Sequence, residues 1–292
     1  MKTAAIIGIG TELMRGKMDD TNATFLSRWL SERGVRVVLR LNVPDTAKLI
    51  GAALRIAGSC DLVVATGGLG PTEDDLTRQA LAAHLHKDLV FDEGIWKRIE
   101  TFFEKHFKSV PESNRRQAYT FAGAQVLENR HGTAPGLWYG ADGKYFALLP
   151  GPPRENQPMV ETVLREKLLE CGMLEGALAR RVRRCYHVGE SALADALKVA
   201  VFGSEVGYYF SQDGYVELHF THYSSDREQS EKLVREDEEK AVLILDARGI
   251  YHTPDVDLSK ILLDELEKRS LAIAFGESIT GGALALRSAF RY

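Results

Sequence analysis

The residues of this chain best suited to chemistry lie in Thr66-Gly67-Gly68-Leu69-Gly70-Pro71-Thr72-Glu73-Asp74-Asp75-Leu76-Thr77. Its glycines let the backbone turn tightly and approach a ligand closely. Free N–H groups at the start of a following helix favour an anion. The adjacent carboxylates of Asp74 and Asp75 would hold a divalent metal against a phosphate they would otherwise repel. The plainer alternative is that Glu73, Asp74 and Asp75 only complement the positive end of a helix dipole. An apolar run, Asp61-Leu62-Val63-Val64-Ala65, feeds straight into the glycines. That context favours phosphate and metal binding.

Other polar or glycine-rich segments also follow apolar runs: Gly8-Ile9-Gly10-Thr11-Glu12, Val43-Pro44-Asp45 and Leu149-Pro150-Gly151-Pro152-Pro153. In an open parallel sheet, ligands sit at the carboxyl ends of strands, so these segments converge on one place. Asp45 alone reads as a turn or cap residue. At a strand end beside the glycine loop it reads equally well as a metal partner of Asp75. Gly8-Ile9-Gly10 lacks the third glycine of a dinucleotide fingerprint. Gly132-Thr133-Ala134-Pro135-Gly136 is either a simple turn or a loop that presents Thr133 and backbone amides to a phosphate. Asn114 and Gln117 read as surface amides. His84 and His86 sit at a helix end, where the dipole explains them better than a metal does. Spacing alone supports no Ser/His/Asp or Cys/His arrangement.

The elements that must position these segments read as alternating strands and helices. Ala4 to Ile9, Val35 to Leu41, Leu62 to Ala65 and Tyr145 to Leu149 are the expected strands. Helices are expected after Asp20 to Asn22, from Thr46 to Gly58, and from about Glu155 to Glu170. Phe25, Leu26, Trp29 and Leu30 share one face of the first, and Gly34 stops it. Such alternation implies parallel βαβ units with right-handed crossovers. The charged and aromatic region Phe91 to Gln125 reads as helices and loops beside the cleft. From about Gly176 the pattern becomes βαββα, with a hairpin around Gln212-Asp213-Gly214. The tail from Asp255 reads as a helix, a short strand over Leu271 to Phe275, and Gly276-Glu277-Ser278-Ile279-Thr280-Gly281-Gly282.

The 292 residues allow about two domains with a fragment of a third. A hydrophobic fraction of 45% and a charged fraction of 27% are ordinary for a globular protein. The net charge of −4 gives no pull toward nucleic acid or an anionic membrane. No segment approaches the ~18 to 20 apolar residues of a membrane span. Cys60, Cys171 and Cys185 are widely spaced and read as reduced structural thiols, so a cytoplasmic location is expected.

Taken together, Gly10-Thr11-Glu12-Leu13, Asp20-Thr21-Asn22-Ala23, the glycine-acid loop through Thr77, Asn114-Arg115-Arg116-Gln117-Ala118, Gly132 to Gly136 and Leu149 to Pro153 run in an order that resembles the CinA family of competence/damage-inducible proteins. The resemblance implies a three-layer α/β/α, MogA-like (molybdopterin-binding-type) domain over residues 1–172. A small α+β, KH-like domain over 176–253 and an incomplete amidase fragment over 254–292 would follow. It also implies that Asp45 and Asp75 are the key acidic residues and metal ligands. The activity it implies is metal-dependent cleavage of a pyrophosphate such as ADP-ribose or an FAD-like dinucleotide.

On that reading Asp45, Asp75 and Asp74 are catalytic. Thr11, Glu12, Asn22, Gly67, Gly68, Leu69, Gly70, Thr72, Asn114, Gly132, Thr133, Pro150 and Gly151 line the substrate site. The expected cofactors are a divalent metal ion (Mg, Mn or Co) and potassium. The expected partners are a small-molecule nucleotide and a second copy in a homodimer. Nucleic acid is disfavoured by the absence of a Gly-x-x-Gly clamp in the middle module. Ser278 matches the family's amidase serine, but only 37 residues follow Asp255. Nicotinamide mononucleotide deamidation is therefore expected to be lost. The alternative function is a non-catalytic nucleotide or molybdopterin-type phosphate-ligand binding protein.

Overall fold

The computed structural model describes residues 1–106, 109–283 and 285. The chain divides into two compact units. One is Met1–Leu178 with Tyr223–Arg227, and the other is Ala179–His222 with Glu228–Tyr292.

The first unit is built on β1 (Thr3–Ile9), β2 (Arg36–Val43), β3 (Leu62–Thr66), β4 (Leu89–Phe91), β5 (Tyr119–Phe121), β6 (Gln125–Leu127), β7 (Gly136–Ala141) and β8 (Lys144–Leu149). Its main sheet has the order β2-β1-β3-β8-β7-β6. The pairings β1–β2, β1–β3 and β3–β8 are parallel, whereas β6–β7 and β7–β8 are antiparallel. The helices are α1 (Thr11–Met14), α2 (Thr21–Glu32), α3 (Ala47–Ala57), α4 (Thr77–His84), α5 (Glu93–His106), α6 (Pro153–Met159) and α7 (Arg165–Glu170).

Period-two alternation along β1 sorts the core into two layers. Ala5, Ile7 and Ile9 pack with Ile50 and Leu54 of α3 and Leu81 of α4. Ala4 and Ile6 face the other way, against Leu26 and Leu30 of α2 and Leu164 and Leu168 near α7. A strand covered on both faces must be apolar throughout, which is why Ala4 to Ile9 is an unbroken apolar run. The side chain of Asp20 caps α2 by accepting from Ala23 N–H at 2.8 Å. Such a cap is worth about 1 kcal/mol.

The strands of this unit missed in the sequence are β4 to β7. β4 and β5 pair antiparallel in a sheet of their own. All of these except β7 are only three residues long, too short for alternation to show.

The second unit carries β9 (Ala177–Tyr186), α8 (Glu190–Leu197), β10 (Glu205–Phe210), β11 (Tyr215–Ser224), α9 (Arg227–Ala247), β12 (His252–Pro254) and α10 (Leu258–Lys268). Its sheet has the order β10-β11-β9-β12, and the β10–β11 hairpin is antiparallel. Leu193, Leu218, Phe220, Val234 and Leu245 form its core. The strand expected over Leu271 to Phe275 is absent. A lone strand has no ladder partner for its backbone, and Leu271 and Ile273 are exposed. Part of the expected 254–292 fragment, residues 284 and 286–292, lies outside the described residues.

Candidate active site

The strand ends expected to converge do so. Register places Gly8 beside both Asn42 and Thr66, and Thr66 beside Leu149. The ladder runs one residue past the strands: Gly10 N–H donates to Val43 O and Gly67 N–H to Leu149 O, each at 3.0 Å. Above these ends lies a cleft of 670 Å³.

Gly67 and Gly68 take φ values of 99° and 63°, a left-handed region that strains other residues. A Cβ on Gly67 would also lie 2.1 Å from Ile9 O. The loop is tied to the start of α4, because Thr77 Oγ1 donates to Gly67 O at 2.8 Å and Thr77 N–H to Gly68 O at 3.2 Å. Arg78 is buried beneath it. Its guanidinium donates to Leu69 O and, at 3.4 Å, to Arg116 O. Burial pushes the Arg78 pKa down to about 10, with Asp75 opposing that shift, so the group stays charged at neutral pH.

Helix α4 begins at Thr77, so Glu73, Asp74 and Asp75 lie in the loop and not in the first helical turn. Complementing the helix dipole from inside that turn therefore does not explain them. Asp75 closes the loop on itself. Its Oδ1 accepts from Gly70 N–H at 2.8 Å, and its Oδ2 accepts from Thr72 N–H at 2.8 Å and Thr72 Oγ1 at 2.6 Å. Thr72 Oγ1 also donates to Asp74, a bond that holds the Asp74 carboxyl below the usual carboxylate range. Asp45 is fixed in the same manner from another segment. Its Oδ2 accepts from Thr11 N–H at 2.7 Å and Thr11 Oγ1 at 3.0 Å.

Asp45, Asp74, Asp75, Glu12, Asn22, Gly67, Gly68, Leu69, Gly70, Thr72, Thr133, Pro150 and Gly151 all line the cleft. Three of the expected residues do not. Thr11 stands behind Asp45 as its donor. Asn114 is buried and spends its amide on Gln117 Oε1 at 3.0 Å, and it is Gln117 that reaches the cleft. Gly132 lines a neighbouring cavity. Ser278 belongs to the second unit, in an exposed bend. The lining residues that sequence reasoning left out include Asp19, Asp20, Gln117 and Glu155. Glu155 was within reach, since it follows Pro150 to Pro153 at the head of a helix.

Carboxylates press so closely on glycines here that a side chain would collide with them. A Cβ on Gly8, Gly10, Gly70 or Gly132 would lie 2.3, 2.4, 2.5 or 2.0 Å from an oxygen of Asp20, Glu12, Asp75 or Glu155 respectively. Asn22 donates to Gly151 O at 2.6 Å, while its buried Oδ1 has no hydrogen-bond partner among the described residues.

Residues 5–170 match the family described as "Probable molybdopterin binding domain". A CinA-like protein of Dictyoglomus thermophilum is 37% identical over 288 residues, covering 97% of this chain and 69% of the relative. A CinA-like protein of Dictyoglomus turgidum is 35% identical over 285 residues, with the same coverage of 97% and 69%. The crystal structure of the protein CinA, of unknown function, from Thermoplasma acidophilum matches with a TM-score of 0.54 at 33% identity, covering 56% of this chain and 97% of that one. With the expected motifs gathered in one cleft and relatives aligned along nearly its whole length, the chain belongs to the CinA-like family and carries that family's molybdopterin-binding-type domain over residues 5–170.

Proposed function

We propose that the cleft is the site of a metal-dependent nucleotide pyrophosphatase that hydrolyses ADP-ribose or a related dinucleotide. The observation that carries this reading is the pair Asp45 and Asp75. They come from different strand ends, line one cleft, and are each oriented by backbone and hydroxyl donors, Asp75 by Gly70 and Thr72 of its own loop and Asp45 by Thr11 beyond β1.

The donor set suits a hard cation. Every ionisable side chain lining the cleft is a carboxylate, with no His or Cys among them, and oxygen ligands favour Mg²⁺ or Mn²⁺ over zinc. No cluster of three or more His, Cys, Asp or Glu side chains able to hold a metal occurs among the described residues. Asp45 and Asp75 would therefore share the ion with phosphate oxygens of the ligand, as magnesium sites commonly do. A bound divalent ion would neutralise charge on the phosphates and lower the pKa of water.

The chain supplies the rest. Of the loop amides, Gly70 N–H is already given to Asp75, so Gly68 and Leu69 are left to meet a phosphate oxygen. Glu12 and Asn22 line the ligand's path, with Asn22 held there by its bond to Gly151 O. One water adds to phosphorus, the bridging P–O bond breaks, and AMP and ribose 5-phosphate leave.

Metal-stripped protein incubated with ADP-ribose, with and without Mn²⁺, is the test. Chromatography should show AMP and ribose 5-phosphate in equal amounts only when metal is present, and intact ADP-ribose at saturating metal would refute the proposal. A second reading, a non-catalytic nucleotide or pterin-phosphate binding protein, is favoured by the three hydrogen bonds Asp75 already accepts. It predicts ligand binding with no AMP release.

A further inference from the structure

Beside the acidic cleft lies a second cavity of 740 Å³, and its sign is reversed. It is lined by Arg98, Lys105, Arg130, His131 and Arg154 against a single carboxylate, Glu128. Glu128 is paired with Arg130 at 3.2 Å. Arg98, Lys105 and Arg154 have no anionic partner among the described residues. The floor between them is apolar, with Ile95 and Ile99 fully buried beneath it. Cations gathered around an apolar floor repel one another unless an anion joins them.

The two cavities share Thr133, which lines both. The wall between them is cross-linked by hydrogen bonds. Asn129 donates to Glu155 Oε2 at 2.8 Å and to Ala134 O at 2.9 Å, while His131 N–H donates to Asn129 Oδ1 at 3.0 Å. Gly132 is pressed against the same Glu155, where a Cβ would lie 2.0 Å from Oε2. Glu155 faces the cleft and Asn129 faces the basic cavity. One hydrogen bond thus ties the two compartments together.

We propose that the basic cavity is an anion subsite for a phosphomonoester, so that the domain takes a nucleotide carrying a second phosphate remote from the one held at the glycine loop. Arg98 and Arg154 meet that phosphate, Lys105 adds charge, and the apolar floor takes the adjoining sugar or base. The proposal rests on the phosphate-binding part of the reading above but not on hydrolysis.

Adenosine 2′,5′-bisphosphate and AMP, each titrated calorimetrically into the full chain at low salt with saturating Mn²⁺, test it. The bisphosphate should bind at least tenfold more tightly than AMP. That advantage should vanish in R98Q/R154Q, with AMP affinity unchanged, and should persist in K48Q/K97Q, which removes exposed lysines outside both cavities. Equal affinities for the two nucleotides, binding of neither, or an advantage that survives R98Q/R154Q would overturn the proposal. Cleavage of ADP-ribose is read separately. R98Q/R154Q should retain wild-type AMP release, so a missing subsite and a missing pyrophosphatase give different results.

Discussion

Gly70 N–H donates to Asp75 Oδ1 at 2.8 Å, and a Cβ at Gly70 would sit 2.5 Å from Oδ2 of the same carboxylate. A side chain at position 70 would therefore displace the carboxylate from the hydrogen bonds that hold it. The glycine-rich loop lets Asp75 fold back on its own backbone, and of its two oxygens Oδ1, which accepts one bond against two at Oδ2, keeps a lone pair for a cation.

Asp75→Asn should reduce ADP-ribose cleavage by more than the roughly 10–100-fold that losing an outer-shell partner of a metal ligand costs. The amide also cannot accept from Gly70 and Thr72 on both sides, so stability should fall by about 1–3 kcal/mol. Turnover and thermal unfolding of the purified variant measure both. Unchanged turnover at saturating metal would remove Asp75 from the mechanism.

Thr11 touches Asp45 and not the cleft. Thr11→Val keeps the backbone N–H donor and deletes the hydroxyl bond of 3.0 Å. Activity should drop about tenfold, the low end of an outer-shell loss. Thr11→Ser should restore it. A Thr11→Val enzyme as active as wild type would show that Asp45 needs no second donor.

Two glycines with positive φ separate collision from backbone strain. Gly67 has φ 99° and a Cβ there would lie 2.1 Å from Ile9 O, whereas Gly214 has φ 84° with open space around it. Gly214→Ala should cost only about 1 kcal/mol of strain. Gly67→Ala should add about 1–3 kcal/mol of overpacking and distort the loop. Denaturant unfolding of the two variants gives the difference, and equal costs would contradict this geometry.

In the second unit, Asp237 is fully buried and accepts from Gly203 N–H, Ser204 N–H and Oγ, and Lys240 Nζ at 2.7–2.9 Å. Burial alone would raise its pKa, but the bonds from Lys240 and Ser204 outweigh it and hold the carboxyl below its ordinary 3.8. A folded pKa below the unfolded one means that this stabilisation is complete above about pH 4 and is lost as pH falls through the folded value. Melting temperatures measured from pH 7 down to pH 2 should fall at the acid end, and Asp237→Asn should flatten that fall. It should also lower stability at neutral pH by about 1–3 kcal/mol.

Buried strands and their terminal glycines were legible in the sequence because each follows from a local rule. An apolar run of five or six residues has few alternatives, and Gly67-Gly68 can take a turn that other residues cannot. Asp45 and Asp75 were legible as acids at strand ends. Their hydrogen bonds were not, since whether Thr11 or a ligand occupies Asp45 depends on how closely β1 and β2 approach. Arg78 was illegible for a different reason. It sits in a helical pattern as an ordinary exposed cation would, and only the loop folded above it makes it a buried clamp on Leu69 O. Leu271 to Phe275 misled because an apolar run signals a strand only when another strand is there to pair with it.

Manganese binding most directly tests the claim that Asp45 and Asp75 jointly hold a divalent ion against a phosphate. Electron paramagnetic resonance of Mn²⁺ titrated into the protein in the presence of AMP counts bound metal. The account predicts bound Mn²⁺ that is lost in Asp45→Asn and in Asp75→Asn, and that needs AMP for full occupancy. Equal Mn²⁺ binding by the wild type and by the double variant D45N/D75N would contradict it.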